Sequence, residues 1–563
     1  MNQGELLYVP LGGLGEIGMN TAMFGHAGRW MMVDLGLSFA DDSLPGVDLV
    51  LPDLTFAEAR KRFLDGIVLT HAHEDHYGAL PYLWTKLGVP VFCTAFTAAA
   101  LRRKLLDGPG AQDMPIRVVA PGEPFRVGPF ECEYLHMTHS IPEANAVVIR
   151  TEAGTILHTG DWKLDPHPLV GEKSWIPQLT ALGRDGVLAM LCDSTNVFRP
   201  GESGSEAEVR TSLADLVKQQ KARVVVTTFA SNIARLESVV LAGRESGREI
   251  AVVGRSMHRM LEAAREAGYL KSMPRTIDPK EAAGLPPARV LYLCTGSQGE
   301  PRSALSRIAA RAHPQVRLDR GDTVIFSSKI IPGNERALYN LHNAFVRQGV
   351  EVITEDDHFV HVSGHPCRDE LEQMYRWIRP RYVVPIHGEA RHIKAHAEFA
   401  RKLGTQPIVI GNGDILRLAP GEPEVIDDAP IGRMALEPSG PVDVGDELYR
   451  TRRRLMSHGV ILVSLVLDDY GTVLAAPRVT DLGATDLVRG ERGGRLEDRI
   501  TDAIEALDDG AAEDDERVRD VVRGAVRLGL ELPRERRPLI EVQITRLTPE
   551  VMDQLEDSAA AGR

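Results

Sequence analysis

The stretch VLTHAHEDHYGAL at residues 68–80 decides the fold. It places three histidines and two acids within six residues, directly after an apolar run. The preceding DGIVLT is typical of a short buried strand and the following YGALPYLWTKLG indicates a helix, so we expect the cluster on the connecting loop. Because His71 and His73 are two residues apart and Asp75 and His76 follow at once, the two pairs can face two metal ions rather than one.

Later segments repeat the pattern of a metal-binding side chain after an apolar run. HMTHSIPEA carries His139, HTGDWKLD carries Asp161, and VVPIHGE carries His387. Each precedes a turn, so all three can reach one edge of a sheet. The functional residues of α/β folds usually lie on the loops at such an edge. An isolated histidine is usually a hydrogen-bonded core or surface residue. Four candidate ligands in six residues, with three matching partners, favour a metal site instead.

A glycine-rich loop near the N-terminus resembles a nucleotide-binding motif by its spacing alone. LGGLGEIGMN has glycines at Gly13, Gly15 and Gly18, and Asp34 follows at the distance of a ribose-binding acid. A dinucleotide fold requires a helix directly after the glycines, whereas NTAMFGHAGRWMMVDLG indicates strand, tight turn at residues 26–29, and strand. We therefore interpret the loop as a turn between β strands, with Asp34 at a strand end.

Length and composition limit the class of protein. The 563 residues exceed the size of a single hydrophobic core, so we expect two to four domains. A formal net charge of −14 gives no global attraction for nucleic acid. The five cysteines are dispersed without a CxxC pair, which fits a reducing cytoplasm. With no signal-peptide pattern and no membrane-length apolar run, we expect a cytoplasmic protein without a membrane anchor.

The histidine cluster resembles the HxHxDH signature of the metallo-β-lactamase fold, and the later ligands occur in that family's order. The resemblance implies two divalent ions, Zn²⁺ or Mn²⁺. It implies seven ligands: His71, His73 and His139 for one ion, Asp75, His76 and His387 for the other, and Asp161 bridging both. Asp34 would orient the ligand loop, as carboxylates commonly do at metal sites.

A large insertion separates the last two ligands. From Asp161 to His387 is 226 residues (387 − 161), and this interval contains several strand patterns ending in turns, with helical patterns between them. We expect a metallo-β-lactamase αββα sandwich with an inserted α/β domain and a small C-terminal α/β domain. The predicted boundaries are 1–195 and 356–425 for the sandwich, 196–355 for the insertion, 426–452 for a linker, and 453–563 for the C-terminal domain.

Three further strings narrow the resemblance to the β-CASP nucleases. LCDSTN, HVSGH and PIHGE match the characteristic motifs of that family at Asp193, His365 and His387. A histidine at the last position is the usual form in the RNA-directed branch. Together with LGGLGEIGMN, TGSQGEP and IPGNE, these strings resemble the ribonuclease J family over essentially the whole chain.

The resemblance implies hydrolysis of RNA phosphodiesters. We expect a hydroxide bridging the two ions to attack phosphorus. His365 would donate or position the proton for the leaving oxygen, and Asp193 would hold its ring and raise its pKa. We also expect Asp75 to be a catalytic residue, together with His365 and Asp193.

The family combines 5′ to 3′ exonuclease and endonuclease activity in RNA decay and maturation, including rRNA processing and mRNA decay. A preference for 5′-monophosphate single-stranded RNA requires a terminal phosphate pocket, for which the sequence offers hydroxyl, amide, backbone and imidazole groups: Ser231, Asn232, His361, Ser363, Gly364 and His365. The C-terminal domain is expected to support a homodimer or homotetramer, and proteins of an RNA-degradation complex are possible partners.

Two other classes of function are compatible with parts of the sequence. A small-molecule hydrolase of the same fold, such as a thioesterase or lactonase, is disfavoured by the large insertion and by HVSGH. A non-catalytic RNA-binding scaffold is disfavoured because all seven ligand positions are intact. Cleavage of DNA is a minor alternative.

Overall fold

The apolar runs of the first 193 residues form short strands, as the sequence predicts. The computed structural model describes residues 4–108, 113–485, 491–530, 537–548 and 550–551. The elements of this first part are β1 (Leu6–Gly12), β2 (Leu14–Gly15), β3 (Thr21–His26), β4 (Arg29–Val33), β5 (Ser38–Phe39), β6 (Leu49–Pro52), α1 (Thr55–Glu58), β7 (Leu64–Val68), α2 (Glu74–Tyr77), α3 (Leu80–Leu87), β8 (Val91–Cys93), α4 (Ala95–Asp107), β9 (Ile116–Val118), β10 (Phe125–Val127), β11 (Phe130–Met137), β12 (Ala144–Thr151), β13 (Gly154–His158), α5 (Ile176–Asp185) and β14 (Ala189–Asp193).

The insertion alternates helices and strands. Its elements are α6 (Glu206–Gln219), β15 (Val224–Thr227), α7 (Ile233–Glu245), β16 (Glu249–Val253), α8 (Arg255–Glu266), α9 (Pro279–Ala283), β17 (Val290–Cys294), α10 (Ala304–Ala309), β18 (Thr323–Phe326), α11 (Glu335–Arg347) and β19 (Glu351–Ile353). The five strands form one parallel sheet in the order β16-β17-β15-β18-β19. Parallel strands joined by helices are buried on both faces, which explains why these strands read as continuous apolar runs.

The chain then returns to the first fold. The elements of this part are α12 (Arg368–Ile378), β20 (Tyr382–Ile386), β21 (Gly388–Glu389), α13 (Ala390–Lys402), β22 (Gln406–Pro407), β23 (Asp414–Ala419), β24 (Glu424–Asp428), β25 (Arg433–Glu437) and β26 (Gly440–Asp443). β20 pairs in parallel with β14, and β23 pairs with β1, so both returning strands enter sheets begun before the insertion.

Two sheets form the centre of this fold. One has the order β24-β23-β1-β3-β4-β7-β8-β9, and the other has the order β10-β11-β12-β13-β14-β20-β22. Tyr8 and Phe24 of the first sheet and Tyr134 and Val147 of the second belong to one buried apolar cluster between them. α3 and α4 pack on the outer side of the first sheet, and α5, α12 and α13 pack on the second. The layers are therefore the predicted αββα sandwich.

The predicted ligands lie where strands of both sheets end. The ligand cluster follows β7, His139 follows β11, Asp161 follows β13, and His387 follows β20. Asp193 is the last residue of β14. One correction applies to the cluster itself, because Asp75 and His76 lie on the short helix α2 and not on a loop. The helical turn points both side chains back toward the strand ends.

The glycine loop has the conformation predicted for a turn between strands. β3 and β4 pair as an antiparallel hairpin, and the turn residues Ala27 and Gly28 both have positive φ. Gly13, Gly15 and Gly18 also have positive φ, a conformation that glycine adopts without strain. The following element is a strand, which excludes the dinucleotide-binding arrangement.

The segment predicted as a linker at 426–452 contains regular structure. β24 extends the eight-stranded sheet by pairing with β23, and β25 pairs with β6. The proline, glycine and aspartate content marked turns correctly. It did not reveal that backbone hydrogen bonds hold these short strands in place, β24 against the neighbouring β23 and β25 against the distant β6.

The chain divides into two compact units. The larger comprises residues up to Phe39 and Asp48–Pro441, and the smaller comprises Ala40–Val47 and the residues from Val442 onward. The smaller unit contains α14 (Glu447–His458), β27 (Val460–Asp468), β28 (Val473–Leu482), α15 (Glu491–Glu505), α16 (Asp509–Ala512), α17 (Asp515–Leu530) and β29 (Leu539–Leu547). β27 is central, antiparallel to β28 and parallel to β29. Among the described residues, no helix is long and apolar enough to cross a bilayer.

Candidate metal centre

The first group of candidate ligands brings together three histidines and an aspartate. His71 Nε2 lies 3.0 Å from His73 Nδ1, which lies 3.1 Å from His139 Nε2. Asp161 Oδ2 lies 3.9 Å from Nε2 of both His71 and His139. All four ligand atoms are within 4.8 Å of one another.

The second group shares Asp161 with the first. Asp161 Oδ2 lies 3.2 Å from His76 Nε2 and 3.5 Å from His387 Nε2. Asp75 Oδ2 is 3.6 Å from His76 Nε2 and 3.2 Å from His387 Nε2. One carboxylate oxygen thus faces four imidazole nitrogens, two from each group, which is the position that a bridging ligand occupies.

The spacing and chemistry of the donors fit divalent cations. Bonds of about 2.1 Å at tetrahedral angles separate ligand atoms by roughly 3.4 Å, which is close to the separations within each group. Asp161 Oδ1 is buried and has no hydrogen-bond partner among the described residues. A buried carboxylate oxygen without a partner is costly unless a cation compensates it. Imidazole and carboxylate ligands suit Zn²⁺ and Mn²⁺.

The charges of the centre also favour cations. Burial alone would lower the pKa of His387, but the carboxylates of Asp161 and Asp75 raise it to about 9. Burial likewise opposes ionisation of Asp161, yet the imidazoles of His387 and His76 hold the pKa of this carboxyl well below its usual range. Burial holds the pKa of His71 well below its ordinary value, so that ring stays neutral. Despite burial, the carboxylates of Asp161 and Asp75 also raise the pKa of His76. They favour positive charge at His76 and His387, and a metal ion that binds there takes the place of the imidazole protons.

Asp34 holds the ligand cluster from behind. It is buried, its Oδ1 accepts a hydrogen bond from the Thr70 backbone N–H at 2.8 Å, and its Oδ2 accepts one from the Thr70 hydroxyl at 2.8 Å. Asp34 Oδ2 also lies 2.7 Å from His76 Nδ1. Because a carboxylate only accepts, His76 must carry its proton on Nδ1, which leaves the lone pair of Nε2 facing the second group.

Thr195 does the same for His387. Its hydroxyl donates to Asp193 Oδ1 at 2.7 Å and lies 2.7 Å from His387 Nδ1. Since the hydroxyl proton is used on Asp193, the threonine oxygen accepts from His387 Nδ1–H. His387 therefore also presents a lone pair on Nε2 to the second group.

His365 and Asp193 form a pair at the side of the centre. His365 Nδ1 lies 2.7 Å from Asp193 Oδ2, and the His365 side chain is 22 % exposed while that of Asp193 is fully buried. Burial opposes protonation of the imidazole, but the Asp193 carboxylate more than compensates and raises the pKa of His365 above its ordinary value. The ring lies within 3.9 Å of Asp161 Oδ2. Asp193 thus favours the protonated form of an imidazole that lies next to both ligand groups.

The residues predicted to bind a terminal phosphate have different surroundings. Asn232 is buried and is the N-cap of α7. Its side-chain oxygen Oδ1 accepts from the Arg235 backbone N–H, and its side-chain nitrogen Nδ2 donates to the Glu206 carboxylate. His361 Nδ1 has no hydrogen-bond partner among the described residues. Burial, followed by the charge of Arg235, lowers the pKa of His361 to about 3. His361 is therefore a neutral imidazole with an unused nitrogen, whereas the Asn232 side chain is already committed.

The other residues of that set lie on or near one turn. Ser363 Oγ accepts from Asn196 Nδ2 at 2.7 Å and from the His365 backbone N–H at 3.2 Å. The Gly364 carbonyl lies 2.5 Å from His139 Nδ1. Ser231 is half-buried at the start of α7. Of these groups, the hydroxyls of Ser231 and Ser363 can still donate to an anion.

Several residues of the centre were not identified from the sequence. Thr70, Thr195 and Asn196 all lie inside the motif strings, but their hydrogen-bond partners come from distant parts of the chain. Asn20, in the glycine loop, lies with its amide nitrogen 3.3 Å from Asp75 Oδ2. Membership of a motif string was the available signal for all four residues, but no string shows which side chain each of them contacts.

Four family models match the chain. They are described as metallo-beta-lactamase superfamily at residues 15–226, Ribonuclease J beta-CASP domain at 221–345, Zn-dependent metallo-hydrolase RNA specificity domain at 349–410, and Ribonuclease J C-terminal domain at 448–547.

Curated proteins named Ribonuclease J are similar over most of their length. The protein from Sinorhizobium meliloti is 42% identical over 552 residues, covering 96% of this chain and 98% of the relative. The proteins from Mycolicibacterium smegmatis and Thermus thermophilus are 41% and 36% identical, and cover 82% and 96% of this chain and 84% and 95% of the relatives.

A solved structure shares the fold alone. A crystal structure of a protein of unknown function from Enterococcus faecalis has a TM-score of 0.51 at 15% identity, covering 73% of this chain and all of that chain. The family models and the full-length relatives carry the assignment, and they agree with the strand-end histidines and aspartates described above. This chain belongs to the ribonuclease J family of metallo-β-lactamase-fold β-CASP ribonucleases.

Proposed function

We propose that the protein is a metal-dependent ribonuclease that degrades single-stranded RNA from a 5′ monophosphate end in the 5′ to 3′ direction and also cuts internally. One observation carries this proposal: two ligand groups share Asp161, and the His365–Asp193 pair lies against them. Two metal ions with a proton donor beside them suit in-line attack on a phosphodiester better than a single metal ion does. Its cellular roles would be RNA decay and maturation.

Seven residues would hold the ions. We assign His71, His73, His139 and Asp161 to one divalent ion, and Asp75, His76, His387 and the shared Asp161 to the other. Zn²⁺ or Mn²⁺ is the expected metal. When bound, two such ions supply an activated water and neutralise charge that develops on the phosphate.

The chain's own residues complete the reaction. His365 is placed to give a proton to the departing 3′ oxygen, because Asp193 raises its pKa and its partly exposed ring faces the centre. Asp193 keeps the ring in one orientation through Nδ1. The products would be a nucleotide with a 3′ hydroxyl and a shortened RNA with a new 5′ phosphate.

A pocket for the terminal 5′ phosphate is proposed at His361, Ser363 and Ser231. His361 lies under the electrostatic influence of three cations, Arg235, Lys329 and Lys163, opposed by the single carboxylate of Glu206. Positive surroundings and unused hydrogen-bonding groups suit a phosphate monoester, which carries more charge than an internal phosphodiester. Asn232 contributes by capping α7 rather than through a free side chain.

RNA contacts would be mainly to the backbone, with weak sequence preference. The smaller unit contains no metal-ligand group among its described residues, and we assign it a role in self-association into a dimer or tetramer. Proteins of an RNA-degradation complex are further candidate partners.

A cleavage assay tests the proposal. Single-stranded RNAs carrying 5′ monophosphate, triphosphate or hydroxyl ends, labelled at the 3′ end or internally, are incubated with the full chain and Mn²⁺, Mg²⁺ or Zn²⁺. We expect mononucleotides to appear fastest from the monophosphate substrate, with some internal fragments. His76→Ala, which removes a ligand of the second group, should abolish both products.

Other outcomes of the same assay identify the alternatives. Internal fragments alone would contradict the exonuclease activity and the 5′ pocket. RNA that binds without cleavage under every metal would support a non-catalytic scaffold. Hydrolysis of thioester or lactone substrates with no action on RNA would support a small-molecule hydrolase.

A further inference from the structure

A backbone carbonyl of the HVSGH turn contacts a candidate metal ligand. His139 Nδ1 lies 2.5 Å from the Gly364 carbonyl oxygen, although the two residues are 225 positions apart. A carbonyl oxygen can only accept, so His139 must carry its proton on Nδ1. Its Nε2 lone pair is thereby directed at His73 and Asp161 in the first ligand group.

Position 364 has room only for glycine. A Cβ atom there would lie 2.8 Å from Cε1 and 2.9 Å from Nδ1 of His139, and 3.0 Å from Cβ of Ser140. The φ of Gly364 is not in the left-handed region, so its backbone conformation does not by itself require glycine. The requirement is the close approach between the turn and the His139 ring.

The turn is held and has little freedom to retreat. On the C-terminal side, Asn196 Nδ2 donates to the His365 carbonyl at 2.9 Å. On the N-terminal side, the Val360 carbonyl accepts from Arg235 Nη1 at 3.0 Å and from the Ser327 hydroxyl at 2.7 Å. Arg235 and Ser327 belong to the inserted domain, so the segment that ends at Gly364 is anchored by that domain.

We propose that Gly364 is a positioning residue for the first metal ion, through its carbonyl and through its lack of a side chain. Its carbonyl sets the tautomer of His139, and the absence of a side chain lets the ring sit where its Nε2 joins the first ligand group. Because this anchored segment links the inserted domain to Gly364, the position of the inserted domain influences the position of the His139 ring. This inference rests on the proposed two-ion site, and it assigns Gly364 a role different from the phosphate contact expected from the sequence.

Metal titration tests the role. Full-length protein freed of metal with a chelator is titrated with Co²⁺, followed by calorimetry and by the visible absorption of bound Co²⁺. We expect two ions for the wild type. For Gly364→Ala we expect one ion bound with near wild-type affinity and one weakened about 10- to 100-fold, the usual effect of losing an outer partner of a ligand.

Two variants serve as controls. His365→Ala changes the neighbouring side chain but keeps the Gly364 carbonyl, and should bind two ions. Gly284→Ala adds a methyl group to a glycine whose added Cβ would meet only a backbone oxygen at 3.5 Å, and should match the wild type. Binding of two Co²⁺ ions with wild-type affinities and spectra by Gly364→Ala would overturn the proposal.

A second measurement is made on the wild type and does not depend on the folding of Gly364→Ala. Nitrogen-15 NMR of histidine-labelled wild-type protein, with His139 assigned from a His139→Asn variant, should show the proton on Nδ1. A proton on Nε2 would overturn the proposal. If the wild type binds two ions and leaves RNA intact, the proposed nuclease function fails while the positioning role stands. A wild type that binds no Co²⁺ overturns both.

Discussion

At the scale of single residues, three of the seven candidate ligands are oriented by groups that are not themselves candidate ligands. Asp34 orients His76, Thr195 orients His387, and the Gly364 carbonyl orients His139. In each case the outer group fixes the proton on Nδ1, so that Nε2 is the free donor. Loss of an outer partner of this kind typically lowers metal affinity about 10- to 100-fold.

Thr195 gives a direct test of this arrangement. Thr195→Val keeps the shape of the side chain but removes the hydroxyl that links Asp193 to His387. We expect affinity for the second ion to fall about 10- to 100-fold, measured by competition with a coloured chelator. Thr211→Val, which removes a hydroxyl bonded only to its own helix on an exposed face, should leave the affinity unchanged. Equal affinities in both variants would contradict the role of Thr195.

His365 separates chemistry from metal binding. His365→Ala removes the proton donor but none of the assigned ligands, so both ions should remain bound while turnover falls about 10²- to 10⁴-fold, the usual contribution of general acid catalysis. Single-turnover cleavage of a 5′-monophosphate RNA, with the metal content determined on the same sample, measures both quantities. Retention of full turnover would refute the assignment.

At the scale of elements, a buried ion pair joins α6 to α7 inside the larger unit. Arg235 is fully buried and makes two hydrogen bonds to the Glu206 carboxylate, at 2.8 and 2.9 Å. It also donates to Ser327 and to the Val360 carbonyl. Because every guanidinium nitrogen has a partner, the pair is tolerated in the interior, and removing one member would leave the other as an uncompensated buried charge.

Arg235→Met measures the importance of this pair. It leaves the Glu206 carboxylate buried without its partner, and we expect the free energy of unfolding to fall by about 3–5 kcal/mol. Urea denaturation followed by circular dichroism provides the value. Arg376→Met, which breaks an exposed pair with Glu372 on one face of α12, should cost less than about 1 kcal/mol. A similar small loss in both variants would show that the buried pair is not a stabilising element.

The same pair predicts a dependence of stability on acid. Burial opposes ionisation of Glu206, but Arg235 and Lys163 lower its pKa from 4.5 to about 2. A depressed carboxyl contributes stability that is fully present above pH 4.5 and is lost as the pH falls through about 2. Between these values the wild type should lose more stability than Glu206→Gln, which lacks the titrating group. Parallel curves for the two proteins in urea denaturation would contradict this expectation.

At the scale of the whole molecule, the sequence predicted the architecture because ligands and apolar runs alternate along it. The ligands in HAHEDH, HTGDWKLD and PIHGE each follow a buried strand, and the ends of these strands lie at one edge. Hydrogen bonds between distant segments could not be predicted in the same way. The strand β25 pairs with the distant β6, and the Asn232 amide donates to Glu206, 26 residues earlier, so both depend on partners that no local pattern displays. The domain boundaries and the roles of the site residues stay predictions.

Metal removal should destabilise the larger unit as a whole, because the assigned ligands come from both central sheets. An ion that binds only the folded chain stabilises it by about 2.7 kcal/mol when present at 100 times its dissociation constant. We expect the melting temperature to rise on adding Mn²⁺ to metal-free protein, followed by scanning calorimetry. The rise should be smaller for His76→Ala. No change in the wild type would contradict the assigned centre.

The order of the ligands along the chain has a consequence during protein synthesis. Asp161 and His387 are 226 residues apart (387 − 161), an interval that a ribosome translates in roughly 10 to 45 seconds at about 5–20 residues per second. Throughout that time the growing polypeptide lacks His387, and it lacks His365 for most of it. We therefore expect that a nuclease translated from an RNA that it could itself cut is inactive until the inserted domain has been made.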